Sequence, residues 1–229
     1  MAASARSVGH RVARHGASGN IAAVRFGFGV VAASLFVASP LAVSCGLDTE
    51  ADEWNGWTVT VYYTAVESYH SGPLETVRGC SDLECTDANV EIGSLPGDFI
   101  DVVRDEGTGR ITSGGHAGQY LNWSYDVGFW LDTEPRDTRG EALHPFESAA
   151  ADGIESGTRL RLTGCGNAKS DNVCGKFSAA TWTIGDEFTP GLGGPQHLDL
   201  YIGEETSESF TEGTDFVTFT GATLEPVEP

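Results

Sequence analysis

Gly193-Gly-Pro-Gln-His-Leu-Asp-Leu-Tyr-Ile-Gly203 is the stretch on which the reading of this chain turns. A Gly/Pro turn leads into a short alternating run that ends at another glycine, the pattern of a half-buried β-strand. Successive side chains of a strand point to opposite faces, so Leu198, Leu200 and Ile202 share one face and His197, Asp199 and Tyr201 the other. The first face belongs to a core. The second is either a solvated surface or a polar groove.

Similar runs lie on both sides of it. Trp57-Thr-Val-Thr-Val-Tyr-Tyr-Thr-Ala-Val66 is β-branched and aromatic and reads as a strand. Thr158-Arg-Leu-Arg-Leu-Thr163 alternates strictly, and Ala179-Ala-Thr-Trp-Thr-Ile184 is another strand. Phe216-Val-Thr-Phe-Thr220 is read as the last one, with residues 223–229 as a loose tail. Between these, residues 67–147 are rich in Gly, Asp, Ser and Thr and read as a large irregular insertion. It holds one short helix at Phe99-Ile-Asp-Val-Val-Arg104 and two strands, Tyr120-Leu-Asn-Trp123 and Val127-Gly-Phe-Trp-Leu131, joined by a turn. Short strands, Gly/Pro turns and little helix imply a mainly β barrel or sandwich.

The first 44 residues read as an export signal. Arg6, Arg11, Arg14 and Arg25 precede or open an apolar run from Phe26 that ends in small residues, and no acidic residue occurs before Asp48. A retained membrane anchor is the alternative, although Pro40 and the shortness of the run disfavour a span of about 20 residues. Ala42-Val-Ser-Cys-Gly46 is similar to the lipobox of bacterial lipoproteins, which would make Cys45 a lipid attachment point on the outer face of the cytoplasmic membrane. Residues 45–56 then form a linker, and 57–222 the folded domain.

Cysteine counting fits this division. Five cysteines leave one unpaired, and assigning Cys45 to lipid leaves Cys80, Cys85, Cys165 and Cys174. Four cysteines allow three pairings, and proximity suggests Cys80–Cys85 and Cys165–Cys174. Zinc is the rival reading, but these spacings lack nearby His ligands, and no metal or other cofactor is expected. The net charge is −20, and the first 44 residues carry four of the 13 basic and none of the 33 acidic residues, which leaves the remainder near −24. Such a surface has no basic patch for nucleic acid or anionic lipid, so membrane contact is expected only through the anchor.

Three segments of the C-terminal half belong together: Ser148-Ala-Ala-Ala-Asp152 followed by Gly157-Thr158, Trp182-Thr-Ile-Gly-Asp186, and Gly193 to Gly203. With Tyr62-Tyr-Thr-Ala65 upstream, their order resembles the three-aspartate (3D) domain of membrane-bound lytic transglycosylase A and related cell-wall proteins. That resemblance implies a six-stranded double-psi β-barrel, with Asp152, Asp186 and Asp199 together in a groove. It implies that Asp199 is the catalytic acid/base, Asp186 the carboxylate beside it, and His197, Tyr201 and Thr158 substrate-binding groups. The implied partner is the peptidoglycan glycan strand, cleaved at its MurNAc–GlcNAc β-1,4 bond. A double-psi barrel lipoprotein that binds glycan without cutting it is the alternative. The family's Asp-Thr-Gly-Gly is replaced here by the longer Asp186-Glu-Phe-Thr-Pro-Gly-Leu-Gly-Gly194. Local chemistry offers each aspartate a plainer role as well. Asp152-Gly153 is a turn signature, and Asp186 is placed to cap the loop that follows it.

Other motifs carry less. Gly107-Thr-Gly-Arg-Ile-Thr-Ser-Gly-Gly-His116 lacks the Gly-Lys-Ser/Thr ending of a phosphate loop and reads as a loop over the groove. Tyr120, Trp123, Tyr125, Phe129 and Trp130 read mainly as core for the insertion.

Overall fold

The computed structural model describes residues 53–83, 85, 88–168 and 171–228. The expected export signal at 1–44, the expected lipid attachment point at Cys45 and the first part of the expected linker lie outside the described residues. Among the described residues, eleven strands and two α-helices follow in chain order: β1 (Asn55–Val66), β2 (Leu74–Cys80), β3 (Val90–Pro96), α1 (Gly97–Glu106), β4 (Thr108–Arg110), β5 (Tyr120–Ser124), β6 (Gly128–Asp132), β7 (Ser148–Ala150), β8 (Arg159–Gly164), α2 (Asp171–Ser178), β9 (Trp182–Asp186), β10 (His197–Glu204) and β11 (Phe219–Pro226).

Six of these strands close on themselves. β1 pairs with β10 in parallel, β10 with β7 antiparallel, and β7 with β9 in parallel; β9–β8, β8–β11 and β11–β1 are antiparallel. The result is the expected six-stranded barrel, closed so that no ladder edge remains. Its interior is filled from the alternating strands. Leu198 and Leu200 of β10, Leu160 and Leu162 of β8, and Trp182 and Ile184 of β9 are all buried. α2 plugs one side with Phe177, which packs against Trp182 and edge-on to Phe219, while Trp182 Nε1 donates to the Phe177 carbonyl at 3.1 Å.

The stretch at 67–147, expected to be irregular, is instead a second sheet. Strands run in the order β1–β4–β5–β6–β2–β3, with α1 laid against it. Low β propensity hid β2, β3 and β4 from the sequence, because their pairing depends on neighbours far along the chain. The helix expected at 99–104 is α1. It buries Phe99, Ile100 and Val103, and Gly107 ends it in the left-handed conformation, its N–H bonded to the Val103 carbonyl at 2.9 Å.

β1 serves both sheets. Its first half lies between β10 and β11, and Ala65 and Val66 pair with β4. Residues Val61 to Val66 are therefore buried on both faces, which erases the alternation expected of a half-exposed strand. Between the rungs Tyr62↔Tyr201 and Thr64↔Glu204, β10 carries one residue more than β1. Gly203 absorbs the irregularity at φ 99°, with Pro145 packed over it so that a β-carbon would meet that ring at 3.2 Å.

Both disulfides, Cys80–Cys85 and Cys165–Cys174, are those suggested by proximity, with Cα separations of 5.6 and 5.8 Å. Two boundaries need correction. The domain opens at Asn55, inside the expected linker, with Trp54 stacked on Trp57 at 5.7 Å. The tail is not loose either: β11 starts at Phe219 and runs on to Pro226, pairing Leu224, Glu225 and Pro226 with β8. Leu224 is buried, and its place in the closing ladder gives a test. Leu224→Ala is expected to cost about 2–5 kcal/mol in denaturant unfolding, the range for a truncated core leucine. A change in an unpacked tail stays within about 0.5 kcal/mol.

Candidate active site

Strand register builds the site. Asp186 of β9 pairs with Ala150 of β7, Ala150 pairs with Asp199 of β10, and Asp199 pairs with Thr60 of β1. The four residues form one row across four neighbouring strands. Strands lie about 4.8 Å apart, so the two aspartates stand roughly 10 Å apart at their α-carbons, with only a methyl group between them. The small residues of Ser148-Ala-Ala-Ala151 thus have a use: Ala150 leaves open the space that both carboxyls face, and it lines a cleft with Asp186 and Asp199.

The opposite wall comes from the second sheet. Glu106 at the end of α1 and Trp123 of β5 line the same cleft, as do Arg136 and Thr138 from the loop after β6. Phe188 and Thr189 of the loop after β9 close one end. The recess between the walls amounts to about 60 Å³, room for a few water molecules or one substituent of a larger ligand.

Each carboxylate is held differently. Asp199 Oδ1 accepts a hydrogen bond from the Thr60 hydroxyl at 2.8 Å, and the same hydroxyl lies 2.9 Å from His197 Nε2. Since Thr60 has one proton and gives it to Asp199, His197 donates from Nε2. Burial holds the His197 pKa below its usual value, which favours the neutral ring. Burial pushes the Asp199 pKa up to about 7, with Asp186 adding to the rise and the Thr60 and Leu200 hydrogen bonds opposing it. Asp186 Oδ1 accepts from the backbone N–H groups of Thr138 at 3.0 Å and Glu187 at 2.9 Å, so it does cap its loop as well as face the cleft. Burial raises its pKa too.

Two further acids went unnoticed in the sequence. Glu106 accepts from the Tyr63 N–H at 3.2 Å, and burial, with Asp199 next in effect, raises its pKa to about 8. Asp137 accepts from the N–H groups of Arg139 and Glu141, yet burial lifts it to about 6. Neither sits in a recognisable motif, and each reaches the barrel aspartates only through tertiary packing. Among the described residues no group of three or more His, Cys, Asp or Glu side chains is arranged to hold a metal ion.

The other expected site residues are placed elsewhere. Asp152 is exposed, outside the cleft wall, and accepts from the Phe188 N–H at 3.3 Å, the turn-type role its Gly neighbour suggested. Tyr201 is 1 % exposed, and its hydroxyl is bonded to Thr64 at 2.6 Å, so it faces the protein and not a substrate. Thr158 is used through its backbone, as acceptor for the Ile184 N–H at 2.9 Å. His197 packs on Phe188 at 4.5 Å between ring centroids, beside the cleft.

No family model matches the chain, and no curated protein matches it by sequence. Solved structures that match the chain include Escherichia coli MltA with bound chitohexaose, at 15 % identity and a TM-score of 0.47 over 75 % of this chain and 72 % of that one. A membrane-bound lytic murein transglycosylase from Agrobacterium tumefaciens is 10 % identical, with a TM-score of 0.46 over 75 % and 73 % of the two chains. The lytic transglycosylase LtgG of Burkholderia pseudomallei is 14 % identical, with a TM-score of 0.39 over 76 % and 73 %.

The raised acids make stability depend on pH in a defined direction. Asp199, Asp137 and Glu106 keep protons in the folded state that the unfolded chain releases near pH 4. Their contribution is fully present below that pH and is lost as pH rises through about 6, 7 and 8 in turn. The thermal midpoint is therefore expected to fall between pH 5 and pH 8. Asp199→Asn is expected to raise it at pH 8 by at least about 2 °C, the effect of roughly 1 kcal/mol in a domain of this size, and by less at pH 5.

Proposed function

We propose that the protein is a peptidoglycan lytic transglycosylase that cleaves the MurNAc–GlcNAc β-1,4 bond, with Asp199 as its acid and base. The observation that carries this reading is a half-buried carboxyl, held near neutrality beside a second carboxylate in a cleft between two sheets. The likeness of the Asp152, Asp186 and Asp199 segments to the three-aspartate domain supplies the substrate class.

A carboxyl with a pKa of about 7 can first give and then take a proton near neutral pH. Asp199 donates its proton to the glycosidic oxygen as the C1–O4 bond breaks, and the GlcNAc leaves with a free hydroxyl. The oxocarbenium-like centre at C1 is stabilised by the Asp186 carboxylate when that group is ionised. The sugar's own 6-hydroxyl then attacks C1 while Asp199 takes its proton. The new O6–C1 bond closes a 1,6-anhydro ring, Asp199 is protonated again, and no water is consumed. A hydrolase would place a water or a covalent carboxylate where the 6-hydroxyl acts. Cys45, read as a lipid attachment point, would keep this chemistry at the outer face of the membrane.

Incubation with purified peptidoglycan and mass spectrometry of the released fragments tests the proposal. Fragments with anhydromuramic ends are expected from the wild type, with at least a 1,000-fold lower rate for Asp199→Asn. Reducing ends would instead indicate hydrolysis, and sedimentation with peptidoglycan without release would leave a glycan-binding protein. The pH profile adds a test with opposite signs. Activity needs the protonated acid, so it falls as pH rises through about 7. Asp186→Asn removes a like charge and moves that limb to lower pH, whereas Thr60→Val removes a hydrogen bond to the ionised form and moves it higher.

A further inference from the structure

Tyr62 occupies the rung next to the catalytic row. On β1, Thr60 and Tyr62 are two residues apart and point to the same face; on β10, so are their partners Asp199 and Tyr201. The two tyrosine rings lie side by side at 5.3 Å, tilted by 49°, and Leu143 packs with them in one buried cluster. Their hydroxyls have different fates. That of Tyr201 is bonded to Thr64 at 2.6 Å. Tyr62 is only 6 % exposed and is one of the residues that line the cleft, and its hydroxyl, itself buried, has no hydrogen-bond partner among the described residues.

A buried hydroxyl without a partner forfeits about 1–3 kcal/mol, so one that persists beside a cleft is suited to a ligand atom. Burial first, and then Asp186 and Asp199, hold the Tyr62 pKa well above its usual value. The phenol therefore keeps its proton wherever the enzyme works, and what it offers a ligand is an O–H donor. The neighbouring carboxylates on the barrel wall are acceptors when ionised. A ligand oxygen that accepts from Tyr62 and donates to Asp199 satisfies both at once, and a sugar hydroxyl is such an oxygen. The recess of about 60 Å³ has room for a hydroxymethyl group.

We propose that Tyr62 is a catalytic residue of the reaction described above, binding the 6-hydroxyl oxygen of the reacting sugar and turning its proton toward Asp199. The inference rests on the transglycosylase reading. Tyr62 transfers no proton. It fixes the nucleophile over C1 while Asp199 takes the proton and the O6–C1 bond forms, an orientation effect. When O6 is no longer held, water competes for the same cation.

Tyr62→Phe keeps the ring in its cluster and removes only the hydroxyl. With peptidoglycan as substrate, we expect kcat to fall 10- to 100-fold and the share of reducing ends among the released fragments to rise above the wild-type share. A merely structural Tyr62 would lower the rate without changing that share. Wild-type rate and product share in the variant would overturn the role of Tyr62 and leave the transglycosylase standing. A wild type that releases no anhydromuramic fragments would overturn both. Should Tyr62→Phe lack a cooperative thermal transition, binding to the Asp199→Asn protein decides the matter. A glycan oligomer should bind at least 5-fold more tightly than its 6-deoxy analogue, and equal affinities would overturn the proposal.

Discussion

One strand belongs to two sheets, and the rest of the structure depends on it. β1 is twelve residues long and is hydrogen-bonded first to β10 and β11 and then to β4. A strand cannot bend sharply without losing ladder bonds, so the barrel and the second sheet must diverge along its length. The cleft is the space they leave. Its barrel wall carries Asp186, Asp199 and Tyr62, and its other wall carries Glu106 and Trp123. The extra residue in β10 at Gly203 marks the point where pairing passes from one environment to the other. Tyr63, next along β1, gives its N–H to Glu106 and so ties the end of α1 to the strand.

The same geometry sets up an electrostatic conflict. Several acids face one recess in a chain of net charge −20. Burial is the leading cause of the raised pKa at Asp199, Asp186 and Glu106 alike, and mutual repulsion adds to it. Ionising these groups weakens the fold, and a protonated acid near neutral pH is what general acid catalysis needs. Stability and activity therefore pull on the same carboxyl in opposite directions, a common condition of functional sites. Elsewhere the carboxylates are stabilised instead. Glu67 takes four hydrogen bonds from Thr112 and Ser113 and is held below its usual pKa despite its burial. It pins Thr112 and Ser113, just after β4.

Residues decided how much could be read early. Strict alternation in 158–163 and 197–202 marked β8 and β10, because one face is apolar and the other polar. Small residues gave β7 no such signal: Ser148, Ala149 and Ala150 are a strand only because β9 and β10 flank them. Likewise β4, three residues with two glycines flanking or within it, is defined by β1 and β5. Leu224 to Pro226 resembled a tail because charge and proline surround a single leucine, yet that leucine closes the barrel. Asp199 stood out within its strand, while Glu106 is one acid among many on a short helix.

By itself the sequence determined that the chain is mainly β, that Leu198, Leu200 and Ile202 face a core, and that Asp199 opposes them, and it suggested by proximity alone that the cysteines pair locally. These follow from the two-residue period of a strand and from short separations along the chain. Only the tertiary structure decided that Asp186, Ala150, Asp199 and Thr60 form one row, that Asp152 and Tyr201 stand outside the cleft, and that Glu106 and Tyr62 belong to it. Register between distant strands and the approach of one sheet to another are long-range choices, and so is the burial that sets a pKa. No local pattern of residues encodes them.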